Sequence, residues 1–288
     1  MLLALAVETE TLPNSFVSRV RRSLNDLPVT ERRLAEFSLD FPGELASYTA
    51  SELAKLANVS NATVSRFIKR IGYKSYEDAR RQVRAEKRSG SPLLLSVPGG
   101  SAKPNLLVAH LQHGHSNLTA TFNRLSEPQV NEMARAIVRA QKVWVFGYRS
   151  SQSFASYFRW QIVQFIERVH LVPGPGETLA EHLVGITDKD VVVIFALRRR
   201  VAQIARIAAF AAAAGARILF VTDHHFSDGL KADWLIRCDC YAPGPLDNHV
   251  AVMALCDLLI TKVCEAAGVS GRKRLSAVEV AHDTLQDL

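Results

Sequence analysis

Short polar side chains and basic side chains are concentrated in residues 60–74. The candidates for contact with nucleic acid are Ser60, Asn61, Thr63, Ser65, Arg66, Lys69, Arg70 and Lys74. Hydroxyl and amide groups of this kind hydrogen-bond to base edges, whereas arginine and lysine pair with phosphates. The segment therefore predicts a helix whose first turn and outer face contact the major groove of double-stranded DNA.

Positioning these side chains requires two short helices joined by a tight turn. Leu53 and Ala57 share one face of the first helix. Asn58 tolerates the left-handed backbone that the turn needs, and Ser60 or Asn61 can cap the second helix. A basic pair of amphipathic helices without DNA-binding function would share part of this pattern. The combination of the small Ala54, the turn residue Asn58 and a basic second helix favours a helix-turn-helix.

Positive charge follows the turn directly. Residues 66–88 contain nine lysines or arginines and three acids, within a chain of formal net charge +7. A basic stripe attracts the phosphate backbone whatever the base sequence. The charge distribution therefore indicates a polyanionic partner for the N-terminal part of the chain.

A second candidate site lies where a buried strand runs into a helix. Gly147, Arg149, Ser150 and Ser151 follow the apolar run 143–146. The start of a helix presents unpaired N–H groups that attract anions, and the glycine would let a ligand approach the backbone closely. Ser150 could instead be an ordinary helix cap, and the spacing alone does not separate these interpretations.

Further candidates follow the next strands of the same region. Arg198, Arg199 and Arg200 come after the run 191–197, and His224 follows 218–222. Ligands of open parallel sheets bind at the carboxyl ends of the strands. The arginines could clamp an anionic ligand, could face a partner subunit or DNA, or could mark a lost pocket in a domain kept for oligomerisation; the first is favoured.

The chain divides into an all-α N-terminal domain and an α/β domain of three layers with a parallel sheet. Five apolar runs alternate with helical stretches and predict the strands: 143–146, 169–172, 191–197, 218–222 and 234–238. Residues 89–104 contain three prolines and three glycines, which oppose regular structure. We therefore expect a helix-turn-helix domain at 1–88, a linker at 89–104 and a ligand-binding and oligomerisation domain at 105–288.

The sequence favours no metal or cofactor. His110, His113 and His115 do not share one helical face, so a metal site is not expected. Four cysteines in the last quarter of the chain fit reduced thiols in the cytoplasm, and no apolar run is long enough to cross a membrane. The acid–base candidates Glu177, Glu181, His182 and His249 receive no catalytic role from the sequence.

Residues 15–88 resemble the N-terminal domain of RpiR-type transcriptional regulators. The resemblance is carried by residues 27–37, 51–54, 60–67 and 72–76, with Asn58 where glycine is commoner. It implies a helix-turn-helix protein that forms homodimers or homotetramers and binds an inverted-repeat operator. Residues 105–270 are similar to the sugar isomerase (SIS) domain that this family carries, which implies that the 147–151 loop holds the phosphate of a sugar phosphate.

One departure from the SIS pattern concerns the second phosphate loop. Such domains place hydroxyl side chains after the next central strand, whereas this chain has no serine or threonine from Val191 to Val221. The expectation is a regulator, not an enzyme, that senses an anionic small molecule, a sugar phosphate or a related carbohydrate derivative. The alternatives are a sugar-phosphate isomerase-like enzyme and a DNA-binding protein without an effector.

Overall fold

The computed structural model describes residues 15–40, 44–88, 105–198, 200–224, 226, 230–242 and 246–286. These residues fall into two units, one within 1–112 and 242–247 and the other within 113–241 and 248–288. The expected linker 89–104 lies outside the described residues, as does Arg199.

Residues 15–88 of the first unit form an all-helical domain, as the sequence predicts. Its elements are α1 (Phe16–Ser23), α2 (Val29–Asp40), α3 (Ala50–Leu56), α4 (Asn61–Arg70) and α5 (Tyr76–Arg88), with 3-10 turns at Leu24–Asp26 and Glu44–Ala46. Their apolar faces meet in one core, where Phe16, Leu34, Leu53 and Phe67 are each at most 1% exposed. Burial of these faces stabilises helices that are too short to persist alone in water.

The turn between α3 and α4 has the predicted geometry. Thr49 and Glu52 form a reciprocal capping box at the start of α3. Asn58 has φ 52, which confirms the left-handed residue expected there. Ser60 accepts a hydrogen bond from the Thr63 N–H and so caps α4, one of the two caps that the sequence allows.

The second part of the chain is an α/β fold. In chain order its elements are α6 (Leu106–Phe122), α7 (Glu127–Arg139), β1 (Val143–Gly147), α8 (Ser150–Ile162), β2 (Val169–Val172), α9 (Ala180–Leu183), β3 (Val191–Ala196), α10 (Gln203–Ala213), β4 (Arg217–Asp223), β5 (Trp234–Cys238) and α11 (Val250–Leu285). All strand pairings are parallel, in the order β2-β1-β3-β4-β5. The parallel sheet expected from the sequence is confirmed.

The central strands of the sheet, β1, β3 and β4, are buried on both faces. Alternate residues of β3, such as Val193 and Ile194, belong to different cores. One core contains residues of α7, α8 and α11, and the other contains residues of α10. This two-sided burial explains why the strands are continuous apolar runs. Among the described residues, no helix combines the length and apolar character needed to cross a membrane.

Strand register places the candidate ligand loops together. Gly147 of β1 lies opposite Phe195 of β3, and Ala196 of β3 lies opposite Thr222 of β4. The segments that follow β1, β3 and β4 therefore start at the same edge of the sheet. This is the carboxyl edge, where open α/β sheets bind ligands.

Candidate functional site

The second helix of the helix-turn-helix has one buried and one exposed face. Val64, Phe67 and Ile68 are at most 1% exposed and hold α4 against the domain. The opposite face exposes Asn61, Ser65, Arg66, Lys69 and Arg70, flanked by exposed Ser60 and Lys74. Seven of the eight sequence-derived DNA candidates are therefore exposed, and they are brought together on or beside one helix.

Thr63 is the exception among these candidates. Its exposed fraction is only 4%, so the expectation that it lies on the outer face is wrong. Its hydroxyl lies 3.0 Å from Ser60 Oγ, and it accepts a hydrogen bond from Arg66 Nη2 at 3.3 Å. Thr63 therefore supports the first turn of α4 and one of its arginines from inside.

A buried carboxylate lies behind the two arginines of α4. Arg70 Nε donates to Glu31 Oε2 at 2.7 Å, and Arg66 Nε lies 3.9 Å from Glu31 Oε1. The Glu31 side chain is 3% exposed. Reasoning from the sequence missed this residue. An acid in the first turn of an amphipathic helix is a common feature, and nothing local to α2 indicates a partner 39 residues away.

The loop after β1 combines an unusual backbone with an exposed helix start. Arg149 has φ 57 and ψ -129, a conformation that favours glycine. It occupies the N-cap position of α8 without making a side-chain capping bond, and Ser150 is the first, exposed residue of the helix. The ordinary capping role considered for Ser150 is therefore not its role here. Arg149 and Ser150 present a cation and a hydroxyl beside the N–H groups of the first helical turn.

The packing of α8 against β1 gives a reason for glycine at position 147. A Cβ at this position would lie 2.4 Å from the carbonyl oxygen of Ser151 and 2.9 Å from Ala155 Cβ. Glycine is required because α8 crosses β1 at close range. The expected close approach of a ligand to this backbone stays a prediction.

Ser151 is buried and joins two of the loops. Its Oγ accepts a hydrogen bond from the Leu197 N–H at 3.1 Å, and the residue is 3% exposed. The loop after β3 is therefore fixed to the start of α8. Ser151 and Ser150 are adjacent in sequence but face different surroundings, because successive helical residues are about 100° apart.

Arg200 is held inside the domain. Its Nη1 donates to Asp223 Oδ2 at 2.9 Å, to Thr222 Oγ1 at 3.2 Å and to the Ala196 carbonyl at 3.2 Å. Its guanidinium also lies over the Phe226 ring, 5.4 Å from the centroid. Its side chain is 17% exposed, and that of Asp223 is 3% exposed. Arg200 thus neutralises a buried carboxylate and connects the ends of β3 and β4, while Arg198 is half-buried.

His224 also has an internal partner at this edge. Its Nε2 lies 3.0 Å from Asp239 Oδ1, and Asp239 additionally pairs with Arg124. Burial raises the pKa of Asp239, but hydrogen bonds from Arg124 and His224 outweigh this effect and hold the pKa below its usual value. The His224–Asp239 contact therefore connects the ends of β4 and β5.

The acid–base candidates come together only in part. His182 Nε2 lies 2.9 Å from Glu177 Oε2, after the end of β2. The ring centroid of His249 lies 5.4 Å from that of Phe154 on α8. In the part of the chain that the structure describes, no cluster of three or more His, Cys, Asp or Glu side chains could hold a metal ion.

Two family models match the chain. The helix-turn-helix domain of the rpiR family matches residues 15–90, and the SIS domain matches residues 136–262. The transcriptional regulator HexR of Pseudomonas aeruginosa is 22% identical over 280 residues, which cover 92% of this chain and 94% of that protein. An uncharacterized transcriptional regulator of Providencia stuartii is 27% identical over 158 residues, covering 52% of this chain and 54% of the relative. That alignment spans about half the length of either protein.

Solved structures share the fold. The sugar isomerase domain of an RpiR transcription factor from Sphaerobacter thermophilus has a TM-score of 0.56 at 22% identity, covering 60% of this chain and 98% of that one. The NanR protein of Vibrio vulnificus, complexed with ManNAc-6P, has a TM-score of 0.55 at 14% identity. It covers 94% of this chain and 99% of its own.

Proposed function

Because the chain belongs to the rpiR family of helix-turn-helix transcriptional regulators and continues into a SIS domain, we propose that a small phosphorylated ligand controls its binding to DNA. The DNA partner is double-stranded and carries an inverted repeat, which a homodimer or homotetramer reads through two α4 helices. The ligand is an anionic small molecule, a sugar phosphate or a related carbohydrate derivative.

The observation that carries the DNA-binding proposal is the exposed face of α4. Asn61 and Ser65 supply short donors and acceptors, while Arg66, Lys69 and Arg70 supply positive charge. A helix with these groups on one face and buried apolar residues on the other suits insertion into a major groove. Base edges then specify the site, and phosphate contacts set the register on the duplex.

The ligand proposal rests on the carboxyl edge of the sheet. Arg149 and Ser150 lie at the N-terminus of α8, where helix N–H groups favour an anion. The NanR structure of the same fold contains ManNAc-6P, a sugar phosphate. These features support a phosphate held by the Ser150 hydroxyl, the Arg149 guanidinium and the first N–H groups of α8.

The arginine loop takes a supporting role in this proposal. Among the three interpretations of Arg198, Arg199 and Arg200, direct clamping of the ligand by Arg200 is disfavoured because its guanidinium already binds Asp223. Ser151 likewise uses its hydroxyl to accept the Leu197 N–H. We assign to both residues the positioning of the loops around the ligand. Effector control then requires the ligand to prefer one arrangement of the two DNA-binding helices.

A screen of sugar phosphates against the full chain tests the ligand proposal. A ligand that binds the folded state raises the melting temperature in proportion to ln(1 + [L]/Kd). The shift is expected to disappear in Ser150→Ala and to persist in Ser153→Ala, which removes an exposed hydroxyl one turn further along α8. Equal shifts in both variants would place the ligand elsewhere.

A selection from random double-stranded DNA tests the DNA proposal. The wild-type chain is expected to enrich a two-fold symmetric sequence, and Ser65→Ala and Arg66→Ala are expected to bind it more weakly. Lys189→Ala removes an exposed charge from the other unit and serves as the control. No enrichment by the wild-type chain would contradict a sequence-specific regulator.

An isomerase-like activity is the second candidate, favoured by the His182–Glu177 pair. A histidine and a carboxylate within 2.9 Å could move a proton on a bound sugar phosphate. The relatives are nevertheless named as transcriptional regulators. Turnover assays with aldose and ketose phosphates decide between a regulator and an isomerase. Isomerisation that is lost in His182→Ala would establish an enzyme.

A further inference from the structure

We propose that Glu31 is a positioning residue for DNA recognition, which orients the guanidinium groups of Arg66 and Arg70 before DNA is bound. The inference rests on the proposed DNA-binding function of α4. It assigns base-sequence discrimination to a buried residue of another helix, α2.

One buried carboxylate serves two exposed cations. Glu31 lies in the first turn of α2 with its side chain 3% exposed. The side chains of Arg66 and Arg70, one helical turn apart on α4, are 63% and 48% exposed. Glu31 therefore contacts both arginines from the protein side and leaves their outer parts accessible.

Both contacts use the same atom of the guanidinium group. Arg70 Nε donates to Glu31 at 2.7 Å, and Arg66 Nε approaches it at 3.9 Å. The Nη nitrogens carry four of the five N–H donors of arginine and form the fork that pairs with guanine or phosphate. A contact at Nε fixes the plane of this fork, so less side-chain freedom is lost when DNA binds.

Arg66 is held at a second point. Its Nη2 donates to Thr63 Oγ1 at 3.3 Å, and Thr63 in turn contacts the capping hydroxyl of Ser60 at 3.0 Å. A continuous set of contacts thus runs from the first residue before α4 to its last residue, Arg70. The buried position of Thr63 is explained by this role.

The loss of the Glu31 charge and the loss of its orienting contacts are expected to change the affinity for the specific DNA site in opposite directions. Glu31→Gln raises the net charge by one, which by itself strengthens binding to any DNA. If Glu31 orients the arginines, the same substitution weakens binding to the specific site. If Glu31 only joins α2 to α4, the substitution lowers the fraction of folded protein and weakens binding to all DNA sequences in proportion.

The experiment compares two duplexes of equal length by fluorescence anisotropy, with the full chain at several salt concentrations. One duplex carries the sequence that the wild-type chain selects from a random library, and the other carries a random sequence. Glu31→Gln is expected to lower the ratio of specific to random-sequence affinity about tenfold, the scale of one oriented arginine–base contact.

Glu77→Gln is the matched control. Glu77 pairs with Arg80 at 3.2 Å on α5, and its side chain is 63% exposed. The control makes the same chemical change and removes the same charge from the same domain. It is expected to leave the affinity ratio unchanged, with both affinities slightly raised.

A second variant tests the proposal even if Glu31→Gln fails to fold. Arg66→Lys/Arg70→Lys keeps both charges beside Glu31 but removes the planar forks, and it is expected to lower the affinity ratio as well. Parallel changes in both affinities for Glu31→Gln, or an unchanged ratio in the double lysine variant, would overturn the role of Glu31. Failure of the wild-type chain to select any sequence would instead overturn the proposed function, and the inference with it.

Discussion

Arg200 Nη1 lies 2.9 Å from Asp223 Oδ2, and this ion pair joins the ends of β3 and β4 at the carboxyl edge of the sheet. The Asp223 side chain is 3% exposed, so its charge needs a partner within the domain. The arginine that follows β3, where SIS domains place hydroxyl side chains, therefore has a structural role before any ligand arrives.

Arg200→Ala is expected to lower the free energy of unfolding by about 3 kcal/mol, because it leaves a buried carboxylate without its cation. Urea denaturation measures this change, with Arg206→Ala on the exposed face of α10 as the control. The double variant Arg200→Ala/Asp223→Ala is expected to lose less than the sum of its single changes. Strict additivity would show that the pair is not coupled.

Ser151→Ala and Ser150→Ala are expected to separate stability from ligand binding. Loss of the Ser151 hydroxyl leaves the buried Leu197 N–H without its acceptor, which costs about 1–3 kcal/mol. Ser150 is exposed, so its removal is expected to leave the unfolding curve unchanged while weakening the ligand response. Urea denaturation combined with ligand thermal shifts tests both. A larger loss of stability in Ser150→Ala than in Ser151→Ala would contradict the buried position of Ser151 and the exposed position of Ser150.

Arg149→Gly is expected to stabilise the folded protein but to weaken ligand binding. Glycine adopts φ 57 without the penalty that a Cβ introduces, so the free energy of unfolding should rise by about 1 kcal/mol. The same change removes the cation beside the helix start and should weaken binding of a phosphorylated ligand. Arg149→Ala provides the comparison, because it removes the cation and keeps the strained backbone. A ligand response equal to wild type in both variants would exclude Arg149 from the site.

Lys69→Ala is expected to weaken binding to all DNA sequences alike. Lys69 is exposed on α4 and suits a phosphate contact, so its loss should reduce the slope of log K against log salt by about 1. Titrations of the selected duplex and a random duplex at several salt concentrations measure the slope. A loss confined to the selected duplex would instead indicate that Lys69 contacts a base.

Glu86→Gln is expected to change the pH dependence of stability. Glu86 is 2% exposed, and its Oε1 accepts hydrogen bonds from the Phe16 N–H at 2.9 Å and from Gln82 Nε2 at 2.8 Å. Burial raises the pKa of Glu86 above the unfolded value of 4.5. The folded state then binds more protons, so the contribution to stability is complete below that value and is lost as the pH rises through the folded pKa.

Glutamine keeps an acceptor for the Phe16 N–H and never ionises. The melting temperature of Glu86→Gln relative to wild type should therefore increase as the pH rises above about 4.5 and then level off. Thermal unfolding of both proteins across this pH range gives the difference directly. A difference that does not vary with pH would show that Glu86 does not titrate between the folded and unfolded states in this range.

Local patterns in the sequence were sufficient for much of the fold. The apolar run 191–197 predicts a strand, because a parallel strand buried on both faces needs apolar residues throughout. Asn58 and Ser60 predict the turn and the start of α4, because left-handed backbone and helix capping depend on a few adjacent residues. The predicted and observed limits of these elements agree closely for the same reason.

The candidate sites were predicted less completely. Arg66 and Ser150 are found exposed at the expected positions, whereas Thr63 faces inward and Arg200 is paired within the domain. Periodicity places a residue on an approximate face of a helix but does not show what lies opposite it. The partner of Arg200 is 23 residues further along the chain, on the next strand.

The sequence by itself determined the order of helices and strands, the helix-turn-helix and the edge of the sheet that carries the candidate ligand loops. These features depend on short-range patterns of burial and backbone preference. Only the tertiary structure decided which polar groups remain available at that edge and on α4. Glu31 and Arg70 are far apart in sequence, and they meet because the packing of α2 and α4 buries one and exposes the other. A charge buried by such packing must find its partner across the fold, which no local pattern encodes.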